Sequence, residues 1–333
     1  MKTNTTRAAL AAAFLLLPSS FLLSQGPLTP PGAPAPTMKT LDQVEARTPI
    51  SSAPFTISTS GSYYLTGNLS VTTGNAITIS ADQVTLDLNG FAISSTASPA
   101  SGTAVLLNST RKNITIKNGH LRGTTTFAAG VFTTGGFLDG VSGGGVTSAN
   151  IRVTDLNVLG MGSDGINLGV SSVQTFVVER CNITVCAAFG IRAAIVRDCS
   201  ADTTGDIAIF ADIAINCFGE TVNIIASAAG VDGASIVENC RGIAVSGIGV
   251  QGINGSNSRG SSTSGIGLAF TNAFNCEGVS TSGSSGISAG GGTASFCRGR
   301  RDGGVAIIAF NAIGCTVLGT GTVTATNKSL GTP

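Results

Sequence analysis

The chain has 333 residues, enough for one large domain or two ordinary ones. Only 11% of them are charged and the formal net charge is +1, which excludes the basic surface that nucleic-acid binding requires. A hydrophobic fraction of 42% with so little net charge also excludes an intrinsically disordered chain.

The first 25 residues have the pattern of an export signal. Two basic residues, Lys2 and Arg7, precede the apolar run AALAAAFLLLPSSFLLS, which Pro18 interrupts. Because the run is shorter than a membrane-spanning helix requires, we predict a cleaved signal peptide over residues 1–25. We therefore expect a secreted, periplasmic or cell-surface protein without a transmembrane segment after cleavage.

Two short segments follow the predicted signal. Residues 26–37 contain the stretch GPLTPPGAPAP, in which five of eleven residues are proline, and they predict an extended linker. In residues 38–50, Met38, Leu41 and Val44 recur every third residue. This spacing predicts one short helix that caps the N-terminal end of the domain.

Residues 51–333 predict strands and no helices. Segments such as NAITISADQVTLDLNGFAIS alternate apolar and polar residues and are bounded by turn formers. Cysteines then return with a period of about 20 residues, a length typical of solenoid repeats. They stand at Cys181, Cys199, Cys217, Cys240, Cys276, Cys297 and Cys315, with one position missing after Cys240. We predict an all-β fold, a right-handed parallel β-helix of roughly 10 to 12 coils.

The periodic cysteines are predicted to form one inward-facing ladder, since Cys is small and apolar. An even number of cysteines in an exported protein favours disulfides. Ladder geometry favours buried thiols, because stacked strands lie about 4.8 Å apart whereas bonded Cβ atoms lie about 3.8 Å apart. We expect buried thiols, with Cys186, which is off the period, as the exception. A single histidine makes a zinc site improbable, and we expect no metal site.

Three segments near the start of the repeat carry a resemblance to known proteins. They are APTMKTLDQVEARTPI, SGSYYLTGNL and VTLDLNGFAI. The chain resembles the right-handed parallel β-helix proteins of the pectin-lyase-like superfamily, and more closely uncharacterised exported bacterial β-helix repeat proteins. The resemblance covers residues 36–326. It implies an extracellular polysaccharide as partner, and it implies Ca²⁺ as a cofactor only if the protein is a lyase; otherwise we expect no cofactor.

Four aspartates are the candidates for catalysis. Asp198, Asp202 and Asp206 lie in the stretch VRDCSADTTGD, and Asp164 in GSDGINLG precedes Asp206 by two periods. Two coils correspond to about 10 Å, close to the carboxylate separation of an inverting glycosidase. Asp-Gly corners are also common turns in any solenoid. The Gly-His-Gly and Arg-Ile-Lys patterns of the superfamily's hydrolases are absent from this sequence.

The residues next to the ladder cysteines are the candidates for binding. If each cysteine points inward, the residue before it points outward, which predicts a polar row along one side of the solenoid. We predict that Arg180, Arg197, Asn216 and Asn239 contact substrate. Arg180 and Asp198 are expected on adjacent coils, where they could pair. The alternative is a solvated asparagine ladder without a ligand.

Two functions therefore follow from the sequence. The first is a structural, adhesive or glycan-binding protein at the cell surface or outside the cell, which the low charge and the regular repeat favour. The alternative is a polysaccharide-active enzyme, a lyase or a glycoside hydrolase. The sequence predicts no oligomeric state.

Overall fold

The computed structural model describes residues 46–143, 148–170, 175–224 and 227–329. These ranges contain strands and turns but no helix. The predicted signal peptide, linker and most of the helical cap lie outside the described residues, and Thr48–Ile50, at the end of the predicted cap, forms a strand. The described part of the chain holds no helix long and apolar enough to cross a membrane.

The strands follow one another with short connections. In chain order they are β1 (Thr48–Ile50), β2 (Phe55–Ile57), β3 (Gly61–Leu65), β4 (Leu69–Val71), β5 (Ile77–Ile79), β6 (Val84–Asp87), β7 (Ala92–Ser95), β8 (Thr103–Leu107), β9 (Lys112–Arg122), β10 (Thr126–Ala128), β11 (Val131–Thr133), β12 (Asp139–Ser142), β13 (Ala149–Met161), β14 (Ile166–Asn167), β15 (Phe176–Glu179), β16 (Asn182–Cys186), β17 (Ile191–Arg197), β18 (Ser200–Thr204), β19 (Ile209–Ile215), β20 (Phe218–Thr221), β21 (Ala229–Glu238), β22 (Arg241–Ala244), β23 (Ile248–Ser256), β24 (Arg259–Ser262), β25 (Leu268–Phe274), β26 (Glu277–Ser280), β27 (Ser285–Ser295), β28 (Arg298–Arg300), β29 (Val305–Ile313), β30 (Thr316–Leu318) and β31 (Thr322–Ser329).

All of these strands except β10 and β11 belong to one parallel sheet that winds through about 12 turns. Each turn passes through three faces, which we number in chain order. Face 1 carries the ladder Val105, Val141, Ile166 and Ile191. Face 2 carries the ladder Leu86, Ile116, Val153 and Val178. Face 3 carries the ladder Ile93, Leu121, Val158 and Ile183. This parallel pairing confirms the predicted β-solenoid.

The cysteine ladder runs up the interior just after the corner between faces 2 and 3. All eight cysteines are buried and no disulfide joins any of them. Each periodic thiol donates a hydrogen bond to the carbonyl two residues before it, for example Cys199 to Arg197 at 3.1 Å and Cys217 to Ile215 at 3.1 Å. The thiols therefore satisfy a corner carbonyl while filling a narrow core.

Ser258 occupies the missing position of this ladder. Its hydroxyl donates to the Ser256 carbonyl at 2.9 Å, the same bond that the thiols form on other turns. The amide of Cys240 donates to Ser258 Oγ at 3.1 Å, just as the amide of Cys181 donates to the sulfur of Cys199. A hydroxyl can therefore replace a thiol here without a change in the backbone.

Glycines line the interior of face 3 in the last turns. Successive turns place Gly219, Gly242, Gly260, Gly278 and Gly299 at one register position. A Cβ added at Gly260 would overlap the carbonyl of Gly267, which belongs to the backbone leading into face 1. Faces 1 and 3 thus meet backbone to backbone, and this close approach accounts for much of the glycine content.

The corner between faces 2 and 3 is a column of left-handed residues, which we call the αL corner. Its members have φ between 50° and 56°, and they are Asp155, Arg180, Asp198, Asn216, Asn239, Asn257, Asn275 and Phe296. Asn and Asp tolerate this conformation better than other side chains, since they bond locally to the backbone. The corner turns the chain sharply, so that the preceding residue faces outward and the following cysteine faces inward.

Candidate functional site

The αL corner places most of the predicted binding residues in one exposed column. Arg180, Asp198, Asn216 and Asn239 stand on four consecutive turns, and all four are exposed. Each precedes a buried cysteine of the ladder. Their spacing therefore equals the strand spacing, about 4.8 Å from one side chain to the next.

A groove of about 590 Å³ follows this column. One wall consists of the four αL-corner residues, and the other consists of the first residues of β16, β18, β20 and β22 on face 3. Those opposing residues are Asn182, Ser200, Phe218 and Arg241. The thiol-bearing residues Cys181, Cys199 and Cys217 form the floor. We call this groove the corner groove.

Hydrogen bonds inside the corner groove fix several of its side chains. Arg180 donates from Nε to Asp155 Oδ1 at 2.7 Å and from Nη2 to Asp155 Oδ2 at 2.9 Å. The pKa of Asp155 is lowered below its ordinary value, chiefly by this bond. Asn216 donates from Nδ2 to Asp198 Oδ1 at 3.0 Å. The expectation that Arg180 could pair with Asp198 is therefore wrong: Arg180 bonds to the turn before it, not the turn after it.

Arg241 is the second cation of the groove. Among the described residues no acidic side chain forms an ion pair with it, although its charge acts on Glu220, one turn earlier, and opposes the burial that raises the pKa of that carboxyl. The Arg241 guanidinium lies 5.6 Å from the ring centre of Phe218. It is exposed. Arg241 thus presents its donors to solvent beside an aromatic ring, an arrangement suited to an anionic group of a ligand.

Arg197, the fourth predicted binding residue, lies outside the groove on face 2. It is 3.8 Å from Glu179, which also accepts from Arg152 at 2.6 Å and lies 3.8 Å from Arg180. The carboxylate of Glu179 is mostly buried beneath these three arginines. Arg197 is therefore part of an ion-pair cluster that borders the groove, not part of its lining.

The structure separates the four predicted catalytic aspartates: three lie at two different corners and one lies on face 3. Asp198 lies in the αL corner and Asp202 lies within β18, where Thr203 donates to it at 3.0 Å. Asp164 and Asp206 lie at the opposite corner, between faces 3 and 1, two turns apart. No single cleft in the described part of the chain holds all four.

Asp164 is held in place by hydrogen bonds and is only 7% exposed. It accepts from Asn167 Nδ2 at 2.6 Å and from the Phe189 amide at 3.0 Å. Its own amide donates to Asp139 Oδ1 on the preceding turn at 3.2 Å. Burial raises the pKa of Asp139, and burial together with the charge of Asp164 raises the pKa of Asp206.

Three polar residues in or near these sites, which could contact a ligand, were not predicted. Asp139 could have been found, because DGV at residues 139–141 repeats the DGI of residues 164–166. Arg241 could also have been found, since it follows a ladder cysteine. Arg192 could not: it stands on face 1 between Phe189 and Phe210, 5.4 and 5.6 Å from their ring centres, with a buried Nε that has no hydrogen-bond partner.

The described residues contain no group of three His, Cys, Asp or Glu side chains that could hold a metal ion. The expectation that Ca²⁺ binds if the protein is a lyase remains a prediction.

No family model and no curated protein matches this chain. Among solved structures it is similar to the enzymatically active domain of tailspike protein 2 of bacteriophage CBA120, with 13% identity and a TM-score of 0.35, over 84% of this chain and 38% of that chain. It is also similar to the A-module of mannuronan C-5 epimerase AlgE4 of Azotobacter vinelandii, with 12% identity and a TM-score of 0.33, over 82% of this chain and 90% of that one. The AlgE6 A-module of the same organism gives 10% identity and a TM-score of 0.27, over 86% and 88%. The chain thus spans little more than a third of the tailspike domain.

Proposed function

We propose that the protein is an exported right-handed β-helix that binds an acidic polysaccharide in the corner groove. The observation that carries the proposal is the repetition of hydrogen-bonding side chains on four consecutive turns. Arg180, Asp198, Asn216 and Asn239 recur at the strand spacing of about 4.8 Å, so they place a polar group at regular intervals along one line. A polymer with regularly repeated hydroxyl and carboxylate groups matches such a line.

The end of the groove at Arg241 favours an acidic ligand. Arg180 shares its charge with Asp155 and lies one turn from the carboxylate of Asp198, whereas Arg241 forms no ion pair among the described residues and lies two turns beyond Asp198. Guanidinium groups form their strongest hydrogen bonds with carboxylates and sulfates. The ring of Phe218 beside Arg241 adds an apolar surface for the carbon-bearing face of a sugar.

Binding is favoured over cleavage by the state of the aspartates. Asp164 is buried and accepts two hydrogen bonds, and Asp198 accepts from Asn216. These two carboxylates lie at different corners of the solenoid, so they do not flank one glycosidic bond as the paired carboxylates of a glycosidase do. An adhesive or matrix role outside the cytoplasm is consistent with the signal-like segment at residues 1–25, and this localisation is part of the proposal.

Polysaccharide cleavage is the second candidate function. It is favoured by the raised pKa values of Asp139 and Asp206, because a carboxylic acid that stays protonated at higher pH can act as a general acid. Ca²⁺ would be expected only for a lyase.

The test is to incubate the purified protein with acidic and neutral polysaccharides, with and without Ca²⁺. Binding is followed by titration calorimetry, and cleavage by reducing ends and by the ultraviolet absorbance of unsaturated uronate. We expect binding of an acidic polymer and no products. Products that disappear in Asp206→Asn would replace the binding proposal with the enzymatic one. An absence of both binding and products would reject both.

A further inference from the structure

A row of amides runs along face 2 in the last turns. Asn254, Asn272, Thr293, Asn311 and Asn327 occupy the same register position on successive turns. Asn272 donates to Asn254 at 3.0 Å, Asn311 to Thr293 at 3.4 Å, and Asn327 to Asn311 at 2.9 Å. These bonds hold the amide planes in one orientation along the solenoid.

Each amide in this row keeps unused hydrogen-bonding capacity. An Asn side chain has two N–H donors and an oxygen with two lone pairs, and a ladder bond uses one donor of one residue and one lone pair of the next. One N–H and one lone pair per Asn therefore remain. Asn254, Asn272 and Asn327 are exposed to solvent, so these groups are accessible.

Exposed phenylalanines flank the amide row. Phe274 and Phe296 are 53% and 59% exposed, and their ring centres are 5.9 Å apart at an interplanar angle of 84°. Phe310, 48% exposed, lies on the other side of the row, next to Asn311. Large aromatic side chains grouped at a surface indicate an interaction site.

Phe296 also occupies an unfavourable backbone conformation. It stands in the αL corner at φ 52°, where the two preceding turns have Asn257 and Asn275. A bulky side chain at positive φ is an outlier, and outliers of this kind are concentrated at functional sites. Its ring contributes little to the core, because it is mostly exposed. The ring is therefore better explained by an external contact than by packing.

We propose that this surface, the Phe–Asn face, binds a neutral polysaccharide chain that lies along the solenoid axis. The Phe–Asn face comprises Asn254, Asn272, Phe274, Thr293, Phe296 and Asn311. Sugar rings stack on Phe274 and Phe296, and hydroxyls bond to the free N–H and oxygen of each amide.

Three features select this ligand. None of the six residues is charged, so the face has no cation to pair with the carboxylates of an acidic polymer. The donor and acceptor groups repeat along the row, which matches a polyhydroxyl chain. An open depression of about 410 Å³ lies over Asn254, Asn272 and Phe274, beside the amide row. The inference does not rest on the corner groove, which has different residues and a different charge.

Neighbouring turns show which substitutions the fold accepts. Phe296→Asn introduces at the αL corner the residue type that the two preceding turns have there, Asn257 and Asn275. Phe274→Ser copies Ser256 and Ser295, which occupy the same position on the neighbouring turns. The double variant should unfold at the same temperature as the wild type or higher, since Asn relieves the backbone strain.

The experiment measures the affinity of the full chain for a soluble neutral β-glucan and a neutral galactomannan, with polygalacturonate as the acidic probe. We expect at least one neutral polymer to bind, and the double variant to lose about tenfold or more in affinity. Lys112→Gln, at an exposed position outside both the corner groove and the Phe–Asn face, should leave neutral binding unchanged.

Two results would overturn the proposal. One is that no neutral polymer binds, or that the double variant binds it as well as the wild type does. The other is sedimentation of the wild type as a dimer that the double variant abolishes, which would assign the Phe–Asn face to contact with a second copy. If the wild type binds a neutral polymer but does not bind polygalacturonate, that result counts against the corner groove and leaves the proposal for the Phe–Asn face standing.

Discussion

Arg180 donates hydrogen bonds to both carboxylate oxygens of Asp155, from Nε at 2.7 Å and from Nη2 at 2.9 Å. Asp155 is the residue at the same position of the preceding turn. Both residues lie in the αL corner, with φ values of 50° and 56°. The corner points consecutive side chains in one direction, so a long side chain can reach back along the column. Asp198, on the turn after Arg180, accepts from Asn216 instead. The column is therefore a series of paired side chains, within which Arg180 is partly neutralised.

The Arg180–Asp155 pair predicts a pH-dependent contribution to stability. The bond holds the pKa of Asp155 below its ordinary 3.8, so near that pH the folded state binds fewer protons than the unfolded state. The contribution is complete above 3.8 and is lost as pH falls through the lowered value. Asp155→Asn should lower the unfolding temperature slightly at neutral pH and not at all in strong acid. Because the pair is exposed, a large loss at neutral pH would contradict this account.

Asp139 predicts a pH dependence of stability opposite to that of Asp155. Burial raises the pKa of Asp139 in the folded protein above its ordinary 3.8, so between 3.8 and the raised pKa the folded state binds more protons than the unfolded state. Stability therefore falls as pH rises through that window, and the ionised form costs free energy at neutral pH. Asp139→Asn should raise the free energy of unfolding at neutral pH, and the gain should shrink as pH approaches 3.8. Urea titrations at several pH values measure this directly, and a variant that is less stable at neutral pH would show that the carboxylate is needed in its charged form.

The glycine ladder of face 3 predicts a strong position effect for one substitution. A Cβ at Gly260 overlaps backbone atoms of face 1 that cannot move aside, so Gly260→Ala should cost about 1–3 kcal/mol of stability. Gly290, on a nearby turn, has no atom within 4 Å of an added Cβ. Gly290→Ala is therefore the matched control and should be neutral or slightly stabilising. Equal effects of the two changes would mean that faces 1 and 3 do not meet as described.

The cysteine ladder predicts thiols that react only after unfolding. Burial raises the pKa of the Cys186 thiol, and the hydrogen bond between Cys276 and Cys297 raises the pKa of Cys297 to about 11 while it lowers the pKa of Cys276. The lack of reactivity therefore rests on burial, which all eight thiols share. Since the thiolate is the reactive form and the ladder is sealed from solvent, a thiol reagent should label none of the eight cysteines in the folded protein. It should label all eight in denaturant without reductant. A count lower by two or more would reveal disulfides.

The architecture of the domain could be predicted because two adjacent positions of each turn accept few residue types. The αL corner requires Asn, Asp or another permissive residue, and the next position requires a small apolar one, so the two together mark each turn. Ser258 shows the limit of this reasoning. The period predicts a missing ladder position after Cys240, but only the structure shows that Ser258 fills it with the same hydrogen bonds as the thiols.

The candidate sites were less accessible to sequence reasoning. The period correctly placed Arg180, Asn216 and Asn239 in one column, but it could not say which neighbour a flexible arginine would choose. Asp206 was grouped with Asp198 because the two are close in sequence, and Asp164 was added because it precedes Asp206 by two periods. In the solenoid, a strand of five residues, Ser200–Thr204, separates Asp198 from Asp206 and sends them to different corners. The pairing of Phe274 with Phe296 requires the register of β25 and β27, which a bulge at Ala269–Asn272 displaces.

The most direct test of polysaccharide binding in the corner groove is the affinity for polygalacturonate of the wild type, Arg241→Gln and Arg298→Gln. Arg298 lies in the same row of face 3 but three turns away, and it pairs with Glu277 at 3.6 Å. If Arg241 meets an anionic group of the ligand, its loss should weaken binding about tenfold or more while Arg298→Gln changes little. Equal affinity of all three proteins, or no binding by the wild type, would contradict the account.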